Sequence, residues 1–381
     1  MLFKNTLIAT LLLSSFGCVT HDQRKGERRP FRLGMTKFDS SLDYQKPLAP
    51  GDYSGWVERS GLFIGSTRAH PGSDHLQDLL ALNFKNGTEL WRKPLTGLDL
   101  SVPVHPLHNG IVVAQLDGSI SKLDLQTGQL LWQISLPTFI NVRMTSESGQ
   151  LFVVTASQVL YALNSHDGKI EWVYDPDMPK NEIRIHNTAA PLVSGSHLYW
   201  GLSSGEIVGL ELQSGQKKWR QNPKIAGGGR FHNYMGSMLV YKEHLVFCRY
   251  DGLIGAVSLE NKREGELLWQ VEGNTGNCAD SDSRSGRFYA VTTSGDALAV
   301  NAETGNALWT GVKLGTGLST VTAAEDSILI TGTEGHIYAL NTSGALEWYD
   351  NVDARLLSRP ILLGKTAHFA SGLKNIYSYQ F

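Results

Sequence analysis

Four groups of residues in this 381-residue chain are of types that carry chemistry. Asp280 and Asp282, in the run NCADSDS, come nearest to a hard-cation cluster, because paired carboxylate oxygens suit Ca²⁺. The spacing lacks the further ligands and final Glu of a calcium loop. Two carboxylates in a Ser-rich strand entrance read as turn chemistry instead, so no metal is expected. Cys248 and Cys278 stand thirty residues apart and admit two readings, a bridge or two small buried hydrophobes. His186, His232, His336 and His368 fall in separate stretches without the H-x-x-x-H spacing of a zinc site. Gly227, Gly228 and Gly229 precede Arg230, but a phosphate cradle needs a helix next and FHNYMGSMLVY reads as strand. No catalytic set emerges.

The elements that position these residues follow from a repeat. An apolar strand ending in Asn or Asp, a turn with Gly, and a strand carrying Trp recur as ALNFKNGTELW, KLDLQTGQLLW, ALNSHDGKIEW, GLELQSGQKKW, AVSLENKREGELLW, AVNAETGNALW and ALNTSGALEW. They place Trp91, Trp132, Trp172, Trp219, Trp269, Trp309 and Trp348 at spacings of 41, 40, 47, 50, 40 and 39. A second Gly turn and a β-branched strand lie upstream, as in IVVAQ (111–115) and SILIT (327–331), with a further short strand before that. Each unit is four antiparallel strands in about 40 residues, the size of a propeller blade.

The chain ends with three strands and no Trp: SRPILL (358–363), TAHFAS (366–371) and NIYSYQ (375–380). DYQKPL (43–48) echoes LWRKPL (90–95), with Tyr44 at the Trp position. An N-terminal strand at 43–48 is therefore expected to complete the last blade, giving an all-β, eight-bladed propeller over 43–381 without a free end to its ring. The seven tryptophans and Tyr44 are read as blade-docking residues, each packing across a blade boundary with its polar atom on a carbonyl and the Gly of its preceding turn close by.

Composition agrees. Charged residues are 18% of the chain and glycines number 40, fitting short strands and tight turns, while a net charge of −2 excludes a generally basic nucleic-acid binder. The N-terminus departs from this body. Lys4, the apolar run Leu7–Leu13 and Gly17-Cys18 read as a signal peptide over 1–17, too short to span a bilayer. The run ending in Gly17-Cys18 resembles a bacterial lipobox, which implies lipidation of Cys18. Val19 after it is similar to the pattern of lipoproteins sent to the outer membrane. Residues 19–37 carry a net +4 and 38–381 a net −7, so 18–42 is read as a basic, lipid-anchored tether to an acidic body.

The A-x-D-x-x-T-G-x-x-x-W type of repeat, with eight blades and a lipobox, resembles the pyrroloquinoline-quinone-like β-propellers, and within them the lipoproteins of the outer-membrane β-barrel assembly machinery. The resemblance covers 43–381. It implies a non-enzymatic scaffold at the periplasmic face of the outer membrane, without cofactor, that docks on the BamA-type barrel-forming subunit through loops at one propeller end. The alternative on the same fold is a quinone-dependent dehydrogenase. Those enzymes carry a vicinal Cys-Cys pair and a Ca²⁺ site, and here no two cysteines are adjacent.

The two long Trp spacings mark the docking end. YDPDMPKNEIRIHN (174–187) contributes Ile183, Ile185 and His186; RQNPKIAGGGRFHNYM (220–235) contributes Arg230, Phe231 and Tyr234. Both follow the outer strand of one blade and precede the inner strand of the next, so both emerge at the same end. Long loops on a rigid scaffold commonly carry function, and aromatic or aliphatic anchors beside Arg resemble interface hot spots. In the resemblance, IRIHNTAAP takes the place of an aliphatic-plus-Arg partner loop, with His186 where the Arg would stand.

Overall fold

The computed structural model describes residues 31–37, 57–68, 77–83, 88–95, 104–115, 117–140, 142–178, 189–223, 231–271, 277–352, 356, 359–370 and 375–380. They form eight four-stranded antiparallel sheets and no helix. Blades 1 to 7 span 57–95, 104–135, 145–174, 192–221, 234–270, 278–313 and 318–351, each running from inner to outer strand in chain order. Blade 8 is 361–380, and its fourth, outer strand comes from the N-terminus.

That closing strand is Phe31–Lys37, antiparallel to Asn375–Gln380 with Met35 opposite Tyr377 and Lys37 opposite Asn375. This corrects the expected limits: the strand lies inside the segment read as tether, and 43–48 with Tyr44 lies outside the described residues. In sequence Phe31, Leu33 and Met35 alternate with Arg32, Gly34 and Thr36. Alternation with period two selects a strand, and the net charge of the surrounding run does not override it.

Apolar side chains are buried in layers between neighbouring blades. One layer joins Phe152, Val154 and Trp172 of blade 3 to Leu198, Trp200 and Leu210 of blade 4. Comparable layers join blades 1 and 2, 2 and 3, 4 and 5, 5 and 6, 6 and 7, and 7 and 8. The sheets of blades 2 to 7 thus each have two apolar faces, which is why their strands read as continuous rather than alternating apolar runs.

The tryptophans stand on the outer strands and reach into the next blade. The indole Nε1 of Trp91 donates to Leu125 O at 3.0 Å, that of Trp172 to Leu212 O at 3.1 Å, and that of Trp309 to Thr342 O at 3.2 Å. The nearby glycine belongs to the following blade's turn rather than the preceding one. A Cβ built on Gly128, Gly168, Gly215, Gly305 or Gly344 would fall closer than 3.0 Å to the indole of Trp91, Trp132, Trp172, Trp269 or Trp309 respectively. Register adds a second small residue. Ala81, Ala162, Gly209, Ala256, Ala299 and Ala339 lie directly opposite their tryptophans, whereas blade 2 has Lys122, whose Nζ donates to Ser165 O at 2.8 Å. Trp348 stacks on Tyr379 of blade 8 at 5.4 Å.

One side of the ring is laced at its centre. The inner strands Tyr234–Tyr241, Cys278–Arg284 and Leu318–Ala323 are long, against three residues each for Val57–Arg59, Thr145–Glu147 and Leu192–Ser194. Ser281 Oγ donates at 3.1 Å to Met235 O or Ser237 O. A disulfide joins Cys248 on the second strand of blade 5 to Cys278 on the first strand of blade 6, with Cα atoms 6.3 Å apart.

Candidate partner-docking end

The turn between second and third strands of a blade, and the connection from its outer strand to the next blade, emerge at one end of the propeller. Ion pairs clasp third to outer strands there. Arg92 meets Asp78 at 2.8 Å in blade 1, Arg220 meets Glu206 at 2.7 Å in blade 4, and Lys313 meets Asp296 in blade 6 at 2.5 Å. The hydrogen bonds of Arg220 hold the Glu206 carboxyl below the usual carboxylate range, against the opposing effect of burial.

The long connections between blades 3 and 4 and between blades 4 and 5 meet at this end. Arg220 Nη1 donates to Pro176 O at 2.7 Å, fixing the start of the first connection. At its other end Ala189 N donates to Tyr234 O at 2.7 Å, tying it to the entry of blade 5. Ser203 N and Oγ donate to Gln158 Oε1 at 3.2 and 3.0 Å, linking the adjacent turns of blades 3 and 4.

Beside this junction sits a charged cluster. Asp251, in the turn of blade 5, accepts both Arg249, through Nε at 3.0 Å and through Nη2, and His232 Nδ1 at 2.9 Å. The side chains of Asp251 and Arg249 are 0% and 4% exposed, that of His232 39%. Burial alone would raise the Asp251 carboxyl, but the bonds from Arg249 and His232 outweigh it and hold the group below its ordinary range. A buried pair of this kind fixes the turn, because removing one partner strands a charge at a cost of about 3–5 kcal/mol. Phe231 lies half-buried above it, edge-on to Tyr250 at 6.3 Å.

Tyr234, expected at the contact, lies in the core of this end instead. Its side chain is fully buried, its ring lies 5.1 Å from that of Phe247, and its hydroxyl donates to Gly205 O at 2.8 Å. Burial pushes the phenol pKa upward. A tyrosine can enter a core when its O–H finds a carbonyl, and the Gly205 turn supplies one. Ile183, Ile185, His186 and Arg230 lie outside the described residues, as does Cys18. The cluster His232–Asp251–Arg249 and Tyr250 is absent from the expected site, although Asp251-Gly252 is one of the repeat's turn signals.

The carboxylates at the ring centre are already committed. Asp280 accepts Arg359 Nε and Nη2 at 3.0 and 2.7 Å and Val321 N at 3.0 Å; Asp282 accepts Ala323 N at 3.0 Å and lies 3.5 Å from Arg359 Nη1. They bridge blade 6 to blade 7 and to the entry of blade 8. A guanidinium already fills the position a cation would take, so this donor set does not fit the Ca²⁺ of a quinone site. Among the described residues no group of three or more His, Cys, Asp or Glu is arranged to hold a metal.

The family model described as outer membrane protein assembly factor BamB matches residues 76–263 and 250–377. The chain belongs to this family. BamB of Moranella endobia is 24% identical over 300 residues, covering 74% of this chain and 76% of that protein. BamB of Yersinia pestis is 23% identical over 316 residues, covering 78% and 79%. Among solved structures, BamB from Moraxella catarrhalis superposes with a TM-score of 0.74 at 17% identity, covering 92% of this chain and 100% of that one. A quinohemoprotein alcohol dehydrogenase from Pseudomonas putida HK5 shares the fold at TM-score 0.63 and 13% identity, covering 91% of this chain and 75% of that one. These structural likenesses show the propeller; the BamB family match is carried by sequence.

Proposed function

We propose that this chain is an outer-membrane protein assembly factor: a non-catalytic scaffold, held at the periplasmic face of the outer membrane by a lipid on Cys18, that docks on the BamA-type barrel-forming subunit. The family match supports the assembly role. Cleavage after residue 17 leaves Cys18 as the anchor point, with 19–30 as the span between lipid and closing strand. The observation that carries the docking face is the bond from Ala189 N to Tyr234 O. It makes the connections on either side of blade 4 neighbours, with Phe231 at the end of the second and Tyr250 beside it on a turn fixed by Arg249 and Asp251. An aromatic pair over a rigid base, next to long connections, has the make-up of a small apolar centre with a polar rim.

Phe231→Asp in the full-length protein tests this by affinity purification from detergent-solubilised membranes. Recovery of the BamA-type subunit should fall about tenfold or more, since an unpaired carboxylate is buried in the contact, while thermal melting of the variant stays near wild type. Undiminished recovery with the folded variant contradicts the docking face. Cys18→Ala should separately move the protein from the membrane to the soluble periplasmic fraction; unchanged fractionation contradicts the anchor.

A further inference from the structure

The outer strand of a blade has one lateral edge that no strand of its own sheet covers. Exposed edges invite pairing with other chains, and proteins blunt them with charge, proline, glycine or bulges. The blades here do so unequally. Blade 1 ends in Glu89–Leu95, with Arg92, Lys93 and Pro94. Glu171 marks Ile170–Tyr174, and two lysines and an arginine mark Lys217–Gln221. Ala307–Lys313 has Gly311 and Lys313, and Leu346–Asn351 has Glu347 and Asp350. Leu267–Gln270 is uncharged but only four residues long, with both leucines half-buried.

Blade 2 is different. Its outer strand Leu130–Ser135, LLWQIS, has six residues without a charge, proline or glycine, and leaves Leu130 56% and Leu131 50% exposed. Its backbone geometry is legible too. Leu136 N donates to Gly118 O at 2.9 Å, and Ser135, Ile134, Gln133 and Trp132 lie opposite Ser119, Ile120, Ser121 and Lys122 in continuous register. In an antiparallel pair the backbone groups alternate in direction. Those of Trp132 and Ile134 therefore face the neighbouring strand, and the N–H and C=O groups of Gln133 and Ser135 face outward. In blade 1 the position three residues after the tryptophan, equivalent to Ser135, is Pro94, which has no N–H to offer.

Alongside runs an open groove between blades 1 and 2 of about 330 Å³, walled by Leu95, Val113, Leu123 and Leu130 with Gln133 at its side. Lys93 is the one charged residue among those lining it, and it pairs with no carboxylate of the described residues.

We propose that the edge of Leu130–Ser135 binds an extended segment of another chain, which adds to blade 2 as a fifth strand. The segment hydrogen-bonds to Gln133 and Ser135, lays alternate apolar side chains along Leu130, Leu131 and the groove, and sets a carboxylate against Lys93. Main-chain pairing supplies affinity and the groove supplies selectivity for alternating sequences. The occupant is an unfolded β-strand of a barrel-forming client carrying an acidic group or its own C-terminus; that choice of client rests on the assembly-factor reading, while strand addition is tested without it.

The probe is a fluorescein-labelled synthetic peptide of alternating valine and threonine with a free C-terminal carboxylate, titrated into the full mature protein by anisotropy. Ser135→Pro copies the blade 1 residue and should weaken binding about tenfold or more, by removing a backbone donor and blocking the edge. Lys93→Glu should weaken the carboxylate peptide several-fold and leave its C-terminal amide unchanged. Hydrogen exchange at Gln133 and Ser135 should slow on adding the peptide, with Thr310 of blade 6 unaffected. If Ser135→Pro does not fold, Leu131→Lys on an exposed side chain carries the same test. Failure of the peptide to bind, equal binding by these edge variants, or unchanged exchange at Gln133 and Ser135 overturns the proposal. Recovery of the BamA-type subunit is read on the same variants. Lost strand addition with intact recovery supports two separate sites, and absent peptide binding with intact recovery removes this inference while leaving the docking face in place.

Discussion

Gly215→Ala and Gly195→Ala, both in blade 4, separate backbone strain from the tryptophan contact. Both glycines have positive φ, +68° and +58°. Alanine at either position pays for the left-handed conformation, about 1 kcal/mol. At Gly195 nothing lies within 4 Å of the added Cβ, so the cost should stop there. At Gly215 the Cβ would fall closer than 3.0 Å to the Trp172 indole. That ring is 9% exposed, packs near Phe152 and is held by its bond to Leu212 O. It has little freedom to retreat, and overpacking adds about 1–3 kcal/mol. Gly215→Ala should therefore cost about 2–4 kcal/mol and Gly195→Ala about 1, measured by urea denaturation with unchanged slope. In a Trp172→Leu background the cost of Gly215→Ala should shrink to about 1 kcal/mol, the remainder being the coupling between the two sites. Equal costs for both glycines in the wild-type background would refute the view that the repeat glycine exists to receive the neighbouring blade's tryptophan.

Other outcomes follow from the same structure. Reducing the Cys248–Cys278 bridge opens a loop of sequence separation 30, and stability should fall by about 2–4 kcal/mol; dithiothreitol should lower the melting temperature of the wild type and leave that of Cys248→Ala/Cys278→Ala unmoved. Removing 19–30 should leave melting unchanged, whereas removing through Lys37 strips the outer strand from blade 8 and should lower both melting temperature and solubility; identical melting of the two truncations contradicts closure by Phe31–Lys37. Burial pushes His105 and His368 down to about 4, so both take up a proton more readily in the unfolded chain, near pH 6.5. Their contribution is complete above that pH and lost as it falls toward 4, up to about 3 kcal/mol each. His105→Asn should flatten this acid limb in a series of melts, and an unaltered slope would show that His105 is not its source.

The blade repeat was legible because it is written in residues with one structural use each. Gly turn, small residue and tryptophan recur at fixed offsets, and register shows Ala162 opposite Trp172 while Gly215 comes from the next blade. The closing strand was not legible at its true place, since Arg32 and Lys37 belong to a basic run and composition hid the alternation of Phe31, Leu33 and Met35. Tyr234 misled for a different reason. An aromatic residue at the end of a polar connection looks like an interface anchor, and only three-dimensional proximity reveals the Gly205 carbonyl that lets it be buried. The spacing of Asp280 and Asp282 departs from a calcium loop, but nothing in it points to Arg359, their partner 79 residues from Asp280. The unguarded edge of Leu130–Ser135 is visible only by comparing outer strands once their register is known.

The docking face is tested most directly by a photo-crosslinking amino acid placed at Phe231, with a second placed at Thr304 in a turn at the opposite end of the propeller, both in membrane-bound protein. The account predicts a crosslink from position 231 to the BamA-type subunit and none from position 304. A crosslink to that subunit from position 304 alone would contradict it.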